Sequence, residues 1–237
     1  MVGTINTENL STVEASGLYA VEGNPLYGLY SYQWAGLDPT NGDPQGYLNG
    51  EISKDYLAII QSSSPESLVL HGSSRPTTFG SLINTFSWKS FTITANISYK
   101  LGYYFRKPTS SANLQEVIVW AGNNKDYEQR WQSTGDEAFT SVPSTVYPSN
   151  ANRNAFYRGS EVNVLKGDHI RLQDITLGYD FKSGLLSSKL KSIRVYAYAN
   201  NLGLLWKANK ENIDPDFVQR YDFPNPRTFA LGIRLGI

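Results

Sequence analysis

Cysteine is absent from the 237 residues, which excludes a disulfide framework, a thiolate metal site and a cysteine nucleophile together. Histidine is nearly absent, with two in the chain, so imidazole chemistry has only His71 and His169 to work with. A charge surplus is also missing: 21 Lys and Arg balance 21 Asp and Glu. Without basic excess nothing draws a phosphate backbone, and nucleic acid drops out as a partner. No apolar run approaches the roughly 18 residues of a membrane-crossing helix. The polar text after Met1 carries no charged-then-apolar targeting signal.

Catalytic spacings are missing too. There is no G-x-S-x-G elbow, no H-E-x-x-H and no phosphate-cradling glycine loop. His169 stands beside Asp168 and near Asp174, but neighbours along a strand point to opposite faces, so a structural histidine at a strand entrance is expected and His71 has no partner pattern. Asp38, Asn41 and Asp43 offer oxygen ligands without the distal bidentate Glu of a calcium loop. Plain turns are the expectation there. Asp136 with Glu137, and Asp214 with Asp216, read as solvated loop ends. The chain is expected to be no enzyme and to carry no cofactor or metal.

What is present is β-forming. Sixteen Tyr, an aromatic content of 13% and 20 Gly favour strands and turns over helices, and hence an all-β class. From 91 to 101, Phe91, Ile93, Ala95, Ile97, Tyr99 and Leu101 alternate with Thr92, Thr94, Asn96, Ser98 and Lys100. That is a strand of about eleven residues, roughly double the usual soluble length and matched to the roughly 9–11 tilted residues that cross a bilayer. Similar alternation runs through Leu26–Ala35, Ile193–Asn200 and Thr228–Ile237, and a less clean one through Thr78–Phe86. Arg234 falls where it would face water, since an Arg at the lipid midplane costs roughly 2–4 kcal/mol. A phase shift between Leu172 and Ile175 predicts a bulge.

The connections alternate in length. Backwards from the C-terminus they run long (207–224), short (182–191), long (106–166), short (88–90) and long (38–76), as in a barrel with short turns at one rim and long loops at the other. Within the loops, 54–62 reads as one short helix and part of 114–131 as helical. Tyr103–Phe105, Trp206 and Trp34 are expected near one lipid boundary, and Phe86, Trp88, Tyr179 and Phe181 near the other.

The pieces VEGNPLYGLYSYQWAGLDPTNGDP, RWQSTGDEAFTSVP, GDHIRLQDITLGYDF, IRVYAYANNL and FPNPRTFALGIRLGI, with the hairpin SSRPTTFGSLINTFSWKSFTITANISYKLGYYFR, resemble the C-terminal third of SusC/RagA-type TonB-linked outer-membrane transporters. The blocks keep the family's order and cover most of the chain. The resemblance implies a 22-stranded transmembrane β-barrel of a Gram-negative outer membrane, importing glycans or peptides. It also implies a SusD-like surface lipoprotein as lid and TonB as energy source. Residues 1–237 would be the C-terminal part of the barrel domain, about six long antiparallel strands, in a fragment that lacks plug, TonB box and signal peptide.

On this reading the chain is part of an active nutrient importer touching outer-membrane lipid. Its substrate contacts would be loop aromatics, Trp120, Tyr127, Trp131 and Tyr157, whose rings can stack on sugars or pack on peptides, or else anchor the loops to one another. The alternative is a soluble carbohydrate-binding β-sandwich, which would need strands of ordinary length joined by loops of mixed size.

Overall fold

Successive side chains of a strand point to opposite sides, so one segment can present two chemistries, and the longest elements of this chain use that freedom. The computed structural model describes residues 13, 22–109, 126–181, 191–218 and 225–236. In chain order the elements are β1 (Gly28–Ser31), β2 (Gly36–Leu37), β3 (Pro44–Leu48), β4 (Glu51–Ser53), α1 (Tyr56–Gln61), β5 (Val69–Ser73), β6 (Thr78–Trp88), β7 (Phe91–Leu101), β8 (Tyr104–Arg106), α2 (Ala151–Gly159), β9 (Val164–Lys166), β10 (His169–Phe181), β11 (Ser192–Lys207) and β12 (Thr228–Gly236). The class is all-β and the strand ladders are antiparallel. Two units result, one from 1–75, 103–166 and 218–221, the other from 76–102, 167–217 and 222–237.

The second unit is one sheet in the order β12-β11-β10-β7-β6. Its β6–β7 hairpin closes with Trp88 opposite Phe91, leaving Lys89 and Ser90 as the loop. Lys89 takes φ 55, the left-handed conformation a two-residue hairpin demands. The phase shift expected between Leu172 and Ile175 is a bulge at Gln173, which both neighbouring ladders skip. Five long strands are described, not six. The connection at 182–190 lies outside the described residues.

The sixth expected strand, Leu26–Ala35, belongs to the first unit instead. Only β1 is regular there, paired with β5, and Tyr30 and Tyr32 are buried with Val13, Tyr56, Ile59, Leu68 and Phe156 in a core. Their alternation is covered by protein, not lipid. Phe156 supplies the centre: its ring stacks on Tyr32 at 5.5 Å and meets Tyr56 at 5.6 Å. Trp34 packs against that core, and Tyr103 and Phe105 are buried. None of these three is a lipid-boundary ring.

The 106–166 segment likewise departs from the long loop expected of it, since it holds α2, β9 and part of this core. Asn150 caps α2 by accepting from the Arg153 amide at 3.1 Å, as an N-cap should. The short helix expected at 54–62 is α1, capped by Asp55, which accepts from the Ala58 amide at 3.1 Å. Of the helical stretch expected in 114–131, residues 114–125 lie outside the described residues, and Tyr127–Gln129 form one 3₁₀ turn.

Phe156→Ala removes the ring that two tyrosines share, and loss of a large buried ring costs about 3–5 kcal/mol. We expect a matching shift in the urea transition of this unit, followed by the fluorescence of Trp34 and Trp131. An unshifted transition would show that the core does not depend on Phe156.

Candidate functional site

Register carries side-chain chemistry across the whole second unit. One row runs Phe86, Ile93, Leu177, Ala197, Leu231 from β6 to β12, and the next runs Trp88, Phe91, Tyr179, Val195, Ile233. Most of their large side chains are exposed: Leu231 to 85%, Ile233 to 66% and Phe86 to 63%. Soluble monomers rarely expose a continuous apolar surface of this kind. Aromatics mark both ends of it. Phe91 meets Tyr179 at 4.7 Å and Tyr179 meets Phe181 at 4.9 Å. At the other end Ile170 pairs with both Tyr99 and Trp206. Phe91 and Tyr99 are eight residues apart, about 26 Å along the strand at ~3.3 Å per residue, or about 20 Å of height at a ~40° tilt, against an apolar band about 25 Å tall in membrane barrels.

The opposite face is polar. Its rows read Thr85, Thr94, Thr176, Tyr198, Ala230 and Ser87, Thr92, Gly178, Tyr196, Gly232. Thr85 and Thr94 hydroxyls lie 3.0 Å apart, Asn96 donates to Asp174 at 3.0 Å, and Gln173 at the bulge donates to the Ser98 hydroxyl at 2.7 Å. Arg234 pairs in register with Arg194 on this same face, as expected of a water-facing Arg. Gly232 is required by closeness: a Cβ there would sit 2.3 Å from the Tyr196 ring.

At one end of the polar face stands a charge cluster that the sequence did not reveal. Arg171 Nη2 lies 2.5 and 2.6 Å from the two Asp214 oxygens, and its Nε donates to Asp216 at 3.1 Å. Asp216 also takes Lys100 Nζ at 2.6 Å and His169 Nε2 at 3.2 Å. Burial alone would raise the Asp216 carboxyl, but the His169 and Lys100 hydrogen bonds win and hold it far below the usual carboxylate range. Asp214 and Asp216 are therefore partners of strand cations and not solvated loop ends. Neither Asp168 nor Asp174 orients His169, because Asp168 accepts from the Gly102 amide and Asp174 from Asn96. The missing signal is long-range: 45 residues separate Arg171 from Asp216.

The first unit holds the loop aromatics. Tyr157 is fully buried and packs against Trp34 at 5.9 Å. Trp131 is buried over Gly42 and donates to Glu137 at 3.0 Å. Both rings are committed to protein as placed. Tyr127 is half-buried under the Arg130 guanidinium, 4.3 Å from its ring centre, and Trp120 lies outside the described residues. As placed, Trp131 and Tyr157 anchor loop segments to one another. An uncharged cleft of about 290 Å³ is lined by Tyr32, Gln33, Tyr47, Asn49, Ser67 and Leu68, among others. His71 contacts the Ser31 hydroxyl at 2.7 Å, but Ser31 is fully buried and inaccessible as a nucleophile. Among the described residues no cluster of His, Asp and Glu could hold a metal.

The turn string 38–43 is organised by cations of the protein itself. Lys54 reaches Asp38 at 2.5 Å and the buried Arg153 reaches Asp43 at 2.7 Å. Hydrogen bonds from Lys54, then from the Thr40 hydroxyl and amide, lower the Asp38 carboxyl to about 2.

No known protein-family profile matches the chain, and no curated protein matches it. Its fold does match solved structures. The RagAB peptide transporter is similar at TM-score 0.60 and 20% identity over 88% of this chain and 22% of that one. The RagAB peptide importer in its open-open state is similar at 0.60 and 18% over 94% and 24%, and in its closed-closed state at 0.57 and 19% over 87% and 22%. At such identities the likeness is one of fold. The chain spans under a quarter of the length of these solved chains.

Because folded Asp38 titrates near 2, below an unfolded carboxyl at about 3.9, its contribution to stability is whole above about pH 4 and disappears as pH falls through about 2. Asp38→Asn should therefore be less stable than the parent at pH 6, with the gap closing below pH 3. Acid and urea titrations of the two proteins measure it. A gap unchanged with pH would disprove the Lys54–Asp38 linkage.

Proposed function

We propose that this chain forms part of the wall of an outer-membrane β-barrel that imports nutrients, of the SusC/RagA type. The observation that carries the reading is the exposed apolar face, continuous over five paired strands, edged by aromatics and backed by a polar face. Lipid is the medium in which such a face is stable, and a polar opposite face suits a water-filled interior. The fold likeness to the RagAB transporter supports the same assignment. On this reading β6 and β12 continue into further barrel strands, the cargo is a peptide or oligosaccharide, a SusD-like lipoprotein caps the loop side, TonB supplies energy through a region outside this chain, and no catalytic step is involved. As a soluble sandwich the sheet would need a second layer over its apolar face, and the described residues contain none.

The absence of cysteine makes the test direct. Single cysteines placed in turn at 193–200 of β11, labelled with a polarity-sensitive fluorophore in lipid vesicles, should alternate: blue-shifted at 193, 195, 197 and 199, and water-like at 194, 196, 198 and 200. Leu231→Arg, on the apolar face, should cost about 2–4 kcal/mol of insertion stability, while Thr94→Arg on the polar face should cost far less. A folded chain that stays monomeric in buffer without detergent would sink the proposal.

A further inference from the structure

The segment that follows β11 does not simply continue beyond the end of the sheet. Residues 208–217 bend onto the polar face, where Lys100 of β7 and His169 and Arg171 of β10 take hold of Asp214 and Asp216. His169 and Arg171 are covered almost completely, at 1% and 4% exposure. Two cations, Lys100 and Arg171, and the His169 imidazole come from two adjacent strands and converge on two carboxylates. Arg171 divides its guanidinium between them: Nη2 reaches both oxygens of Asp214 and Nε donates to Asp216, charge-assisted contacts of the stronger kind. Pro215 between the two acids and the Phe217 amide, which donates to the Asp214 carbonyl at 3.0 Å, fix them in a tight turn. The aromatic ring of Phe217 lies 5.8 Å from the Arg171 guanidinium carbon.

We propose that Lys100, His169 and Arg171 form a binding site for ligand carboxylates, and that the strap 208–217 occupies it from within through Asp214 and Asp216. The strap is an intramolecular stand-in for an acidic ligand. Its hold is electrostatic and partly exposed: Asp214 and Asp216 keep 24% and 19% of their side-chain surface and Lys100 keeps 43%. Such pairs weaken with salt and can be exchanged for another carboxylate presented at high local concentration. The strap also carries a cost, because buried Asn209 has no side-chain hydrogen-bond partner among the described residues. Displacement would uncover the cations on the face that the proposed barrel turns to its interior. An acidic peptide and a uronate-containing oligosaccharide present the same chemistry to them.

The test uses the full chain in detergent micelles, with triglutamate and trigalacturonate as separate probes. Strand content is checked by circular dichroism, so that a sheet that fails to form is recognised as a failure of the barrel reading and not of this one. Asp214→Asn combined with Asp216→Asn should bind at least one probe at least tenfold more tightly than the parent, and adding Arg171→Gln should abolish the gain. Which probe binds identifies the source of the carboxylate. On the unaltered chain, tryptic cleavage after exposed Lys210 should accelerate about threefold or more with the effective probe, and not with sodium chloride of equal ionic strength. If the folded double variant binds neither probe and neither changes cleavage of the parent, the cluster is only a structural tie and the proposal is overturned.

Discussion

Hydrogen bonding of the backbone is the constraint on which the large sheet depends, and most of all in the water-free medium we propose for it. In hydrocarbon each unpaired amide or carbonyl costs several kcal/mol, so strands survive there only when both neighbours are present. The described ladder meets that demand for β7, β10 and β11, each paired on two sides, and leaves β6 and β12 with one partner each. The strand lengths follow from the same constraint. Eleven residues in β6 and β7 and thirteen in β10 exceed what a soluble sheet needs, and they fit a tilted crossing.

Given the ladder, alternation divides the work between the faces. Against the lipid we propose for it, the apolar face needs bulk and tolerates variety, because such a partner is fluid. The polar face packs its own groups closely: Tyr196 lies over Gly232, and Arg194 approaches Gly178 so nearly that a Cβ there would sit 2.8 Å from its guanidinium. Glycine is therefore part of the polar face's chemistry in this sheet, since it makes room for side chains reaching across from the neighbouring strand. The bulge at Gln173 restores phase so that Ile170 and Leu172, before it, share the apolar face with Ile175 and Leu177, after it.

Period told which residues share a face, and it did so best in β7; in β6 it held less well, because Asn84 lies opposite Ala95 on the apolar face and Ile83 opposite Asn96 on the polar one. It could not tell what covers the face. Tyr30 and Tyr32 alternate as cleanly as Ile93 and Ala95, yet Phe156, over 120 residues away, covers the first pair. The same limit applies to the loop aromatics: exposure of Trp131 and Tyr157 depends on Gly42 and Trp34, which are distant in sequence. Turn chemistry was legible because it is local, as the tight connection at 88–90 and the phase shift between Leu172 and Ile175 show. The Asp214–Arg171 contact was not, because only the fold brings β10 and the strap together.

The two units then stand in opposite relation to solvent. The first has a closed core of aromatic rings, so water drives its folding in the ordinary way. The sheet of the second has no covering layer among the described residues, and its apolar rows gain nothing from folding in water that they do not lose by remaining exposed. Its hydrophobic stabilisation must come from the surrounding medium, leaving only ladder bonds and polar-face contacts as intrinsic terms. Salt and pH should act on the sheet mainly through the charge cluster at its end, where Lys100, His169 and Arg171 meet two carboxylates. Lipid should act on everything else in it. Dependence on the medium is thus a property of the strands themselves, written in the alternation that sets apolar rows against polar ones.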